Sequence, residues 1–179
     1  MKKILLAAVL AFSATTGISS LVTQNIEASA KTHVIKISLV KDLKKGTLPK
    51  ASGKIGETYA SVHKKAKGTY MNAGDPPFYS AKNGDNYSFY EADPIYSPKK
   101  AKVGSISRWY DYKISQKSIE KHFGKAYKGY ENGEKVKNTH VYKTGKYYTY
   151  IEVIKTRTLV IVGTKSGVSD QTFLTDFHR

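Results

Sequence analysis

The 179-residue sequence contains no cysteine. That excludes disulfide staples, thiolate metal sites and a lipid-modified cysteine, so neither covalent stapling nor lipoprotein anchoring is available. Arginine is nearly as scarce. Arg108, Arg157 and Arg179 are the only arginines among 30 basic residues, and the rest are lysine. Lysine is a hydrated point charge that follows a phosphate backbone, whereas base-specific readout leans on the bidentate fork of arginine. A nucleic-acid partner would therefore be bound without regard to its sequence. Acidic residues number only 14, which leaves a net charge of +16. Catalytic groupings are missing too. His33, His63, His122, His140 and His178 are dispersed, with no H-E-x-x-H spacing and no phosphate-cradling G-x-x-x-x-G-K-[ST]. S-x-x-K occurs at Ser118–Lys121 and Ser61–Lys64, a spacing that so lysine-rich a chain produces by chance. Only a convergence of Glu57, Asp75, Asp93 and Glu131 in space would supply an acid/base pair. The expectation is a protein without enzymatic activity, metal or cofactor.

Long apolar runs are also lacking. The run from Ile4 to Phe12 is about half of the ~20 residues a membrane span needs. With Met1-Lys2-Lys3 before it and the small-residue site Ala28-Ser29-Ala30 after it, it has the three regions of a secretory signal. The expectation is a signal peptide over residues 1–30, cleavage before Lys31, and one secreted domain over 31–179 with no membrane span. The last nine residues, QTFLTDFHR, carry neither an apolar tail nor a sorting motif. Release to the medium, or retention at the cell surface by charge, is then expected.

Loss of Lys2, Lys3 and Glu27 with the signal would lower the net charge by one, to +15. Such a field favours polyanions: extracellular nucleic acid, wall teichoic acid, acidic polysaccharide or anionic lipid. The alternative is that the charge only reflects the surroundings of an exported Gram-positive protein.

Along the chain, Lys31–Val40 alternates like a strand that stops at the charged KDLKKG. Gly46–Gly56 reads as loop, and Glu57–Lys67 as either a short helix or a strand. Asp75-Pro76-Pro77-Phe78-Tyr79-Ser80-Ala81-Lys82 is echoed by Asp93-Pro94-Ile95-Tyr96-Ser97-Pro98-Lys99. Proline keeps both copies out of central strands, so they are either a paired recognition surface or two similar turns capping a sheet edge. Asn83-Gly84-Asp85 marks a turn before a strand over Asn86–Glu91, and Val103–Ile114 reads as another strand, carrying the single tryptophan, Trp109.

The C-terminal half is the most legible. Ser115 suits an N-cap, Ile119 and Phe123 lie four apart on one face of a helix, and Gly124 ends it. Lys117 and Lys121 lie on the opposite face. After a linker, KAYKGYENGEK, strands are expected over Val136–Lys143, Tyr147–Ile154 and Leu159–Thr164. The fold class is thus α+β: small antiparallel sheet(s), with a short amphipathic helix followed by a three-stranded meander over 114–165 and a strand- and loop-rich half over 31–113. On the central strand Tyr147, Thr149, Ile151 and Val153 face one way and Tyr148, Tyr150, Glu152 and Ile154 the other. One short helix covers one face. The second face is either core or an open platform, in which Tyr148 and Tyr150 stack unpaired bases beside Lys143, Lys146, Lys155 and Arg157. Those six residues, with Lys117 and Lys121, are the candidate contacts to a polyanion.

The run Ile114-Ser115-Gln116-Lys117-Ser118-Ile119-Glu120-Lys121-His122-Phe123-Gly124-Lys125, followed by paired strands, resembles the C-terminal half of the secreted immunodominant staphylococcal antigen B family. The helix-glycine-hairpin outline is also similar to modules of outer-membrane assembly lipoproteins and β-lactamase inhibitor proteins. The first resemblance implies an exported, virulence-associated, non-enzymatic protein that binds extracellular nucleic acid without sequence preference. The alternative is a module binding a host protein through Phe78, Tyr79, Ile95, Tyr96 and Trp109, since tyrosine and tryptophan anchor interfaces well. A hydrolase acting on wall or glycan ranks third.

Overall fold

The computed structural model describes residues 32–72, 77–137 and 139–179. The expected signal peptide, its cleavage site and Asp75-Pro76 lie outside them.

The described residues open with β1 (Thr32–His33), a two-residue strand, and then form helix α1 (Ile37–Lys44) where a strand was expected over Lys31–Val40. The alternation there is overridden by a helical spacing that continues past it. Leu39, Val40 and Leu43 stand at i, i+1 and i+4, and all three are buried, while Val34 and Ile37 are left in solvent. The segment 57–67 resolves as helix α2 (Tyr59–Lys65), with the Thr58 hydroxyl accepting from the Ser61 N–H at 3.3 Å.

Four strands follow: β2 (Gly68–Met71), β3 (Phe78–Ala81), β4 (Asn86–Tyr90) and β5 (Lys102–Tyr110). The described parts of the two Asp-Pro segments do not share a structure. Phe78–Ala81 is an internal strand between β2 and β4, because Pro77 sits just before it and its missing N–H removes no ladder bond. The second copy is a tight turn, in which Asp93 Oδ1 accepts from the N–H groups of Ile95 at 2.7 Å and Tyr96 at 3.3 Å. The strand expected over Val103–Ile114 breaks at Asp111-Tyr112, and its end, β6 (Lys113–Ile114), pairs in parallel with β1.

Helix α3 (Gln116–Phe123) falls where the sequence places it, with Gly124 at φ 78° after it, although the Ser115 hydroxyl makes no capping bond. The linker is not a loop. It holds a hairpin, β7 (Lys128–Glu131) and β8 (Glu134–Val136), around Asn132-Gly133. Both turn residues have positive φ, 50° and 85°, as a two-residue hairpin turn requires. The meander is β9 (Val141–Thr144), β10 (Tyr147–Ile154) and β11 (Arg157–Gly163), so its first strand starts five residues later than expected. Two elements beyond residue 164 have no counterpart in the sequence reading: helix α4 (Lys165–Thr172) and strand β12 (Asp176–His178).

The α+β class holds. β2 to β5 and β9 to β11 form one seven-stranded antiparallel sheet in the order β2-β3-β4-β5-β11-β10-β9, so the β5–β11 ladder joins the two halves of the chain. Helices α1, α2 and α3 cover one face, where Leu43, Val62 and Ile119 pack with Tyr87, Ile106, Tyr142 and Ile151. Below them Asp85 is fully buried and takes the Arg108 guanidinium at 2.6 Å, which commits that arginine to the core. The second face carries α4 and a three-stranded sheet in the order β12-β7-β8, and a smaller core of Val141, Ile161, Val168, Leu174 and Phe177 lies beneath them. Glycine lets α4 come close: a Cβ on Gly167 would stand 2.3 Å from the Gly104 carbonyl oxygen.

Candidate polyanion-binding surface

The open platform does not form. Tyr148 and Tyr150 point to the second face as the alternation requires, but that face is covered by α4 and by Phe177 of β12. Tyr148, Tyr127 and Phe177 make an edge-to-face trio, with ring centres 5.0 Å apart for Tyr148–Phe177, 5.9 Å for Tyr127–Tyr148 and 6.3 Å for Tyr127–Phe177. Tyr150 packs edge-on against His140 at 5.9 Å. Burial, and then the Glu152 carboxylate beside it, push the Tyr150 hydroxyl's pKa well up. Both tyrosines are half-buried members of the smaller core.

The basic candidates are divided among three places. Lys143 lies with its ammonium 3.9 Å from the Tyr148 ring centre, and Lys146 stands beyond it at the β9–β10 turn, 5.2 Å from the Tyr147 ring. Lys155 and Arg157 occupy the other end of β10, about 25 Å away at ~3.3 Å per residue. Arg157 there is engaged on both sides, with its Nε 2.8 Å from Asp111 and its guanidinium 5.0 Å from the Trp109 ring. Lys117 and Lys121 are exposed on α3, opposite Ile119 and Phe123, on the first face.

A denser basic surface comes from residues that sequence reasoning passed over. In the three-stranded sheet Gly129, Val136 and Phe177 turn toward the core, and alternation sends Lys128, Tyr130, Lys135, Asp176 and His178 outward. Lys128 pairs with His178 across one ladder and Tyr130 with Lys135 across the other. Lys137 follows β8 directly and is exposed. Two shallow grooves meet at Lys128, one edged by Lys125 and Arg179 and the other by Lys135 and Lys137. Among the described residues none of Lys125, Lys128, Lys135, Lys137 and Arg179 has an ion-pair partner. The Asp176 carboxylate is already taken by Lys165, which, with a backbone N–H and His178, holds its pKa below the usual value. Glu131 and Glu134 sit opposite one another at the hairpin tip.

Three cations also rest on the aromatic trio: Lys143 on Tyr148, Arg179 at 5.6 Å from Tyr127 and Lys165 at 5.4 Å from Phe177. Of the candidates taken from the sequence, Lys143 and Tyr148 adjoin this surface. The signal that marks it is Asn132-Gly133 between two alternating runs, together with four lysines in Lys125–Lys137.

No group of three histidine, cysteine or acidic residues placed to hold a metal ion occurs among the described residues, and no described helix is long and apolar enough to cross a membrane. Comparison with protein-family models, with curated proteins and with solved structures returned no match.

Proposed function

We propose that this chain is an exported, non-enzymatic protein that binds polyanions, extracellular nucleic acid foremost, without sequence preference. The observation that carries the reading is the basic surface on and beside the outer face of β12-β7-β8, where Lys128, Lys135 and Lys137, with Lys125 and Arg179 at the groove along its edge, stand without acidic partners among the described residues. Unneutralised lysines in rows on a sheet match a repeating phosphate backbone and hold it by counterion release, which is indifferent to base order. With Arg108 and Arg157 tied to carboxylates, Arg179 is the arginine left for that surface, and one guanidinium fork reads little sequence. Teichoic acid and acidic polysaccharide present the same kind of charge. The reading agrees with what the Ile114–Lys125 resemblance implies.

The test is an electrophoretic shift assay of residues 31–179 on single- and double-stranded DNA at 50 and 200 mM salt, with teichoic acid and heparin as competitors. Binding to several unrelated sequences, lost at the higher salt, is expected. No binding to any polyanion at 50 mM overturns the reading. Export is checked separately by mass spectrometry of culture supernatant, where the chain should begin at or within a few residues of Lys31. An intact Met1 terminus on membrane-embedded protein contradicts it.

A second reading, docking to a protein partner, is favoured by one observation. In the turn that Asp93 holds rigid, Tyr96 is 86% and Ile95 52% exposed. Salt-tolerant binding to a single protein, abolished by Tyr96→Ala, is its signature.

A further inference from the structure

Tyr130 and His178 lie nearly parallel on the outer face of β12-β7-β8, with ring centres 4.7 Å apart and planes inclined by 12°. That is an offset stack, the geometry two aromatic rings adopt when both offer their faces. It differs from the aromatic trio beneath the sheet, whose rings meet edge to face and are spent on the core. The stack is two rings deep and ends in solvent, because the His178 side chain is 55% exposed. The outer face of His178 is thus open to a third ring.

The charges beside the stack are set by the ladders. Lys128 is the cross-strand neighbour of His178, and Tyr130 lies between Lys135 on one side and Asp176, which Lys165 engages, on the other, so each ring has a lysine on the next strand, whose backbone runs about 5 Å away. Arg179 follows His178 in the chain and borders the groove that runs to Lys125 and Lys128. A ring face with a cation one strand away suits one nucleotide: the base continues the stack and the phosphate lies on the lysine. A paired base cannot use this arrangement, since its faces are already covered by its neighbours in the duplex. Teichoic acid and polysaccharide have no ring to offer.

We infer that the outer face of β12-β7-β8 is a binding site for unpaired nucleic acid, in which a base stacks on the Tyr130–His178 pair while Lys128, Lys135, Lys137 and Arg179 hold the flanking phosphates. The inference rests on the polyanion reading for its charge component and adds the ligand class: single strands over duplexes, and over polyanions without bases.

The experiment compares a 15-residue oligothymidylate with inorganic polyphosphate of equal charge and with duplex DNA, by fluorescence anisotropy at one salt concentration. The native chain should bind the oligothymidylate more tightly than polyphosphate. Tyr130→Ala and His178→Ala should each weaken oligothymidylate about 5- to 150-fold, the worth of one stacked base, and leave polyphosphate within about twofold. Tyr130→Phe keeps the ring and should keep the affinity. Should the alanine variants fail to fold, the native chain still reports: His178 ring-proton resonances should shift upfield on adding oligothymidylate and stay in place on adding polyphosphate. Equal losses for both ligands, or unmoved His178 resonances at saturating oligothymidylate, overturn the stacking site while leaving polyanion binding standing. Binding of oligothymidylate with no binding of duplex or polyphosphate does the reverse: it overturns the general polyanion reading and supports the stacking site.

Discussion

The Lys143 ammonium lies 3.9 Å from the centre of the Tyr148 ring. Of the two alternatives the sequence left for this sheet face, the open platform would have set the pair side by side as a phosphate contact and a base-stacking ring. The ring instead packs edge-on against Phe177 and Tyr127, and the ammonium covers one of its faces. Tyr148 is thereby a structural residue at the border of the basic surface.

It follows that Tyr148→Ala should act on the fold before it acts on a ligand. Removing a half-buried ring from the trio should cost about 2–3 kcal/mol, below the range for a fully buried aromatic. Its effect on single strands and on duplex should be the same factor. Calorimetry with paired titrations checks this. An unchanged melting temperature, with single-strand binding lost selectively, would restore the platform.

Helix α4 should be dislodged by one methyl group. A Cβ on Gly167 would lie 2.3 Å from the Gly104 carbonyl oxygen and 2.5 Å from its carbon, and both belong to backbone that cannot swing aside. Gly167→Ala should cost about 1–3 kcal/mol as an overpacking substitution. Hydrogen exchange should quicken over 165–172 and over β12. Unchanged protection of both segments would mean that α4 does not rest on β5.

Phe123 closes the first face. It is buried and meets the Tyr142 ring at 6.3 Å between centres, while Lys121 on the same helix is in solvent. Phe123→Ala should cost ~3–5 kcal/mol and Lys121→Ala a few tenths at most. Equal shifts in melting temperature for the two variants would contradict the assignment of the helix face.

Alkali should unfold the protein through its tyrosines. Burial pushes the hydroxyl pKa values of Tyr87, Tyr110 and Tyr150 above the ordinary 10.0, Tyr110 to about 12. Between pH 10 and 12 the folded chain therefore holds protons that the unfolded chain has released. The stability contributed by keeping these groups neutral is fully present below pH 10 and is lost as pH climbs. In an absorbance titration at 295 nm, part of the 14 tyrosines should ionise only together with loss of the fold. A single smooth titration near pH 10 with the circular dichroism intact would contradict it.

What was legible in the sequence follows from length and spacing. Helix α3 and strand β10 were placed residue for residue because each carries an unbroken period with a glycine at its border: Ile119 and Phe123 before Gly124, and Tyr147 to Ile154 after Gly145. α1 was misread because Ile35, Ile37 and Leu39 alternate by chance with Lys36 and Ser38 across the start of the helical set Leu39, Val40 and Leu43, and tertiary burial chose the latter. β12 was invisible at three residues, since it is a strand only by virtue of pairing with β7. The candidate surface suffered for the same reason. Tyr130 and His178 are 48 positions apart and become neighbours only when β12 closes onto the Asn132-Gly133 hairpin.

The most direct test is the salt dependence of duplex-DNA affinity in the native chain and in a variant with Lys125, Lys128, Lys135 and Lys137 all changed to Gln. If about five phosphates are held, log affinity should fall against log salt with a slope of roughly −4.5, about a 500-fold loss between 50 and 200 mM. Each lost contact removes ~0.9, so the variant should keep a slope of about −1. Changing Lys155 and Arg157 to Gln, about 25 Å away along β10, should leave the native slope within one contact of its value. A quadruple variant that retains the steep slope contradicts the assignment to β12-β7-β8, and a native slope near zero contradicts polyanion binding itself.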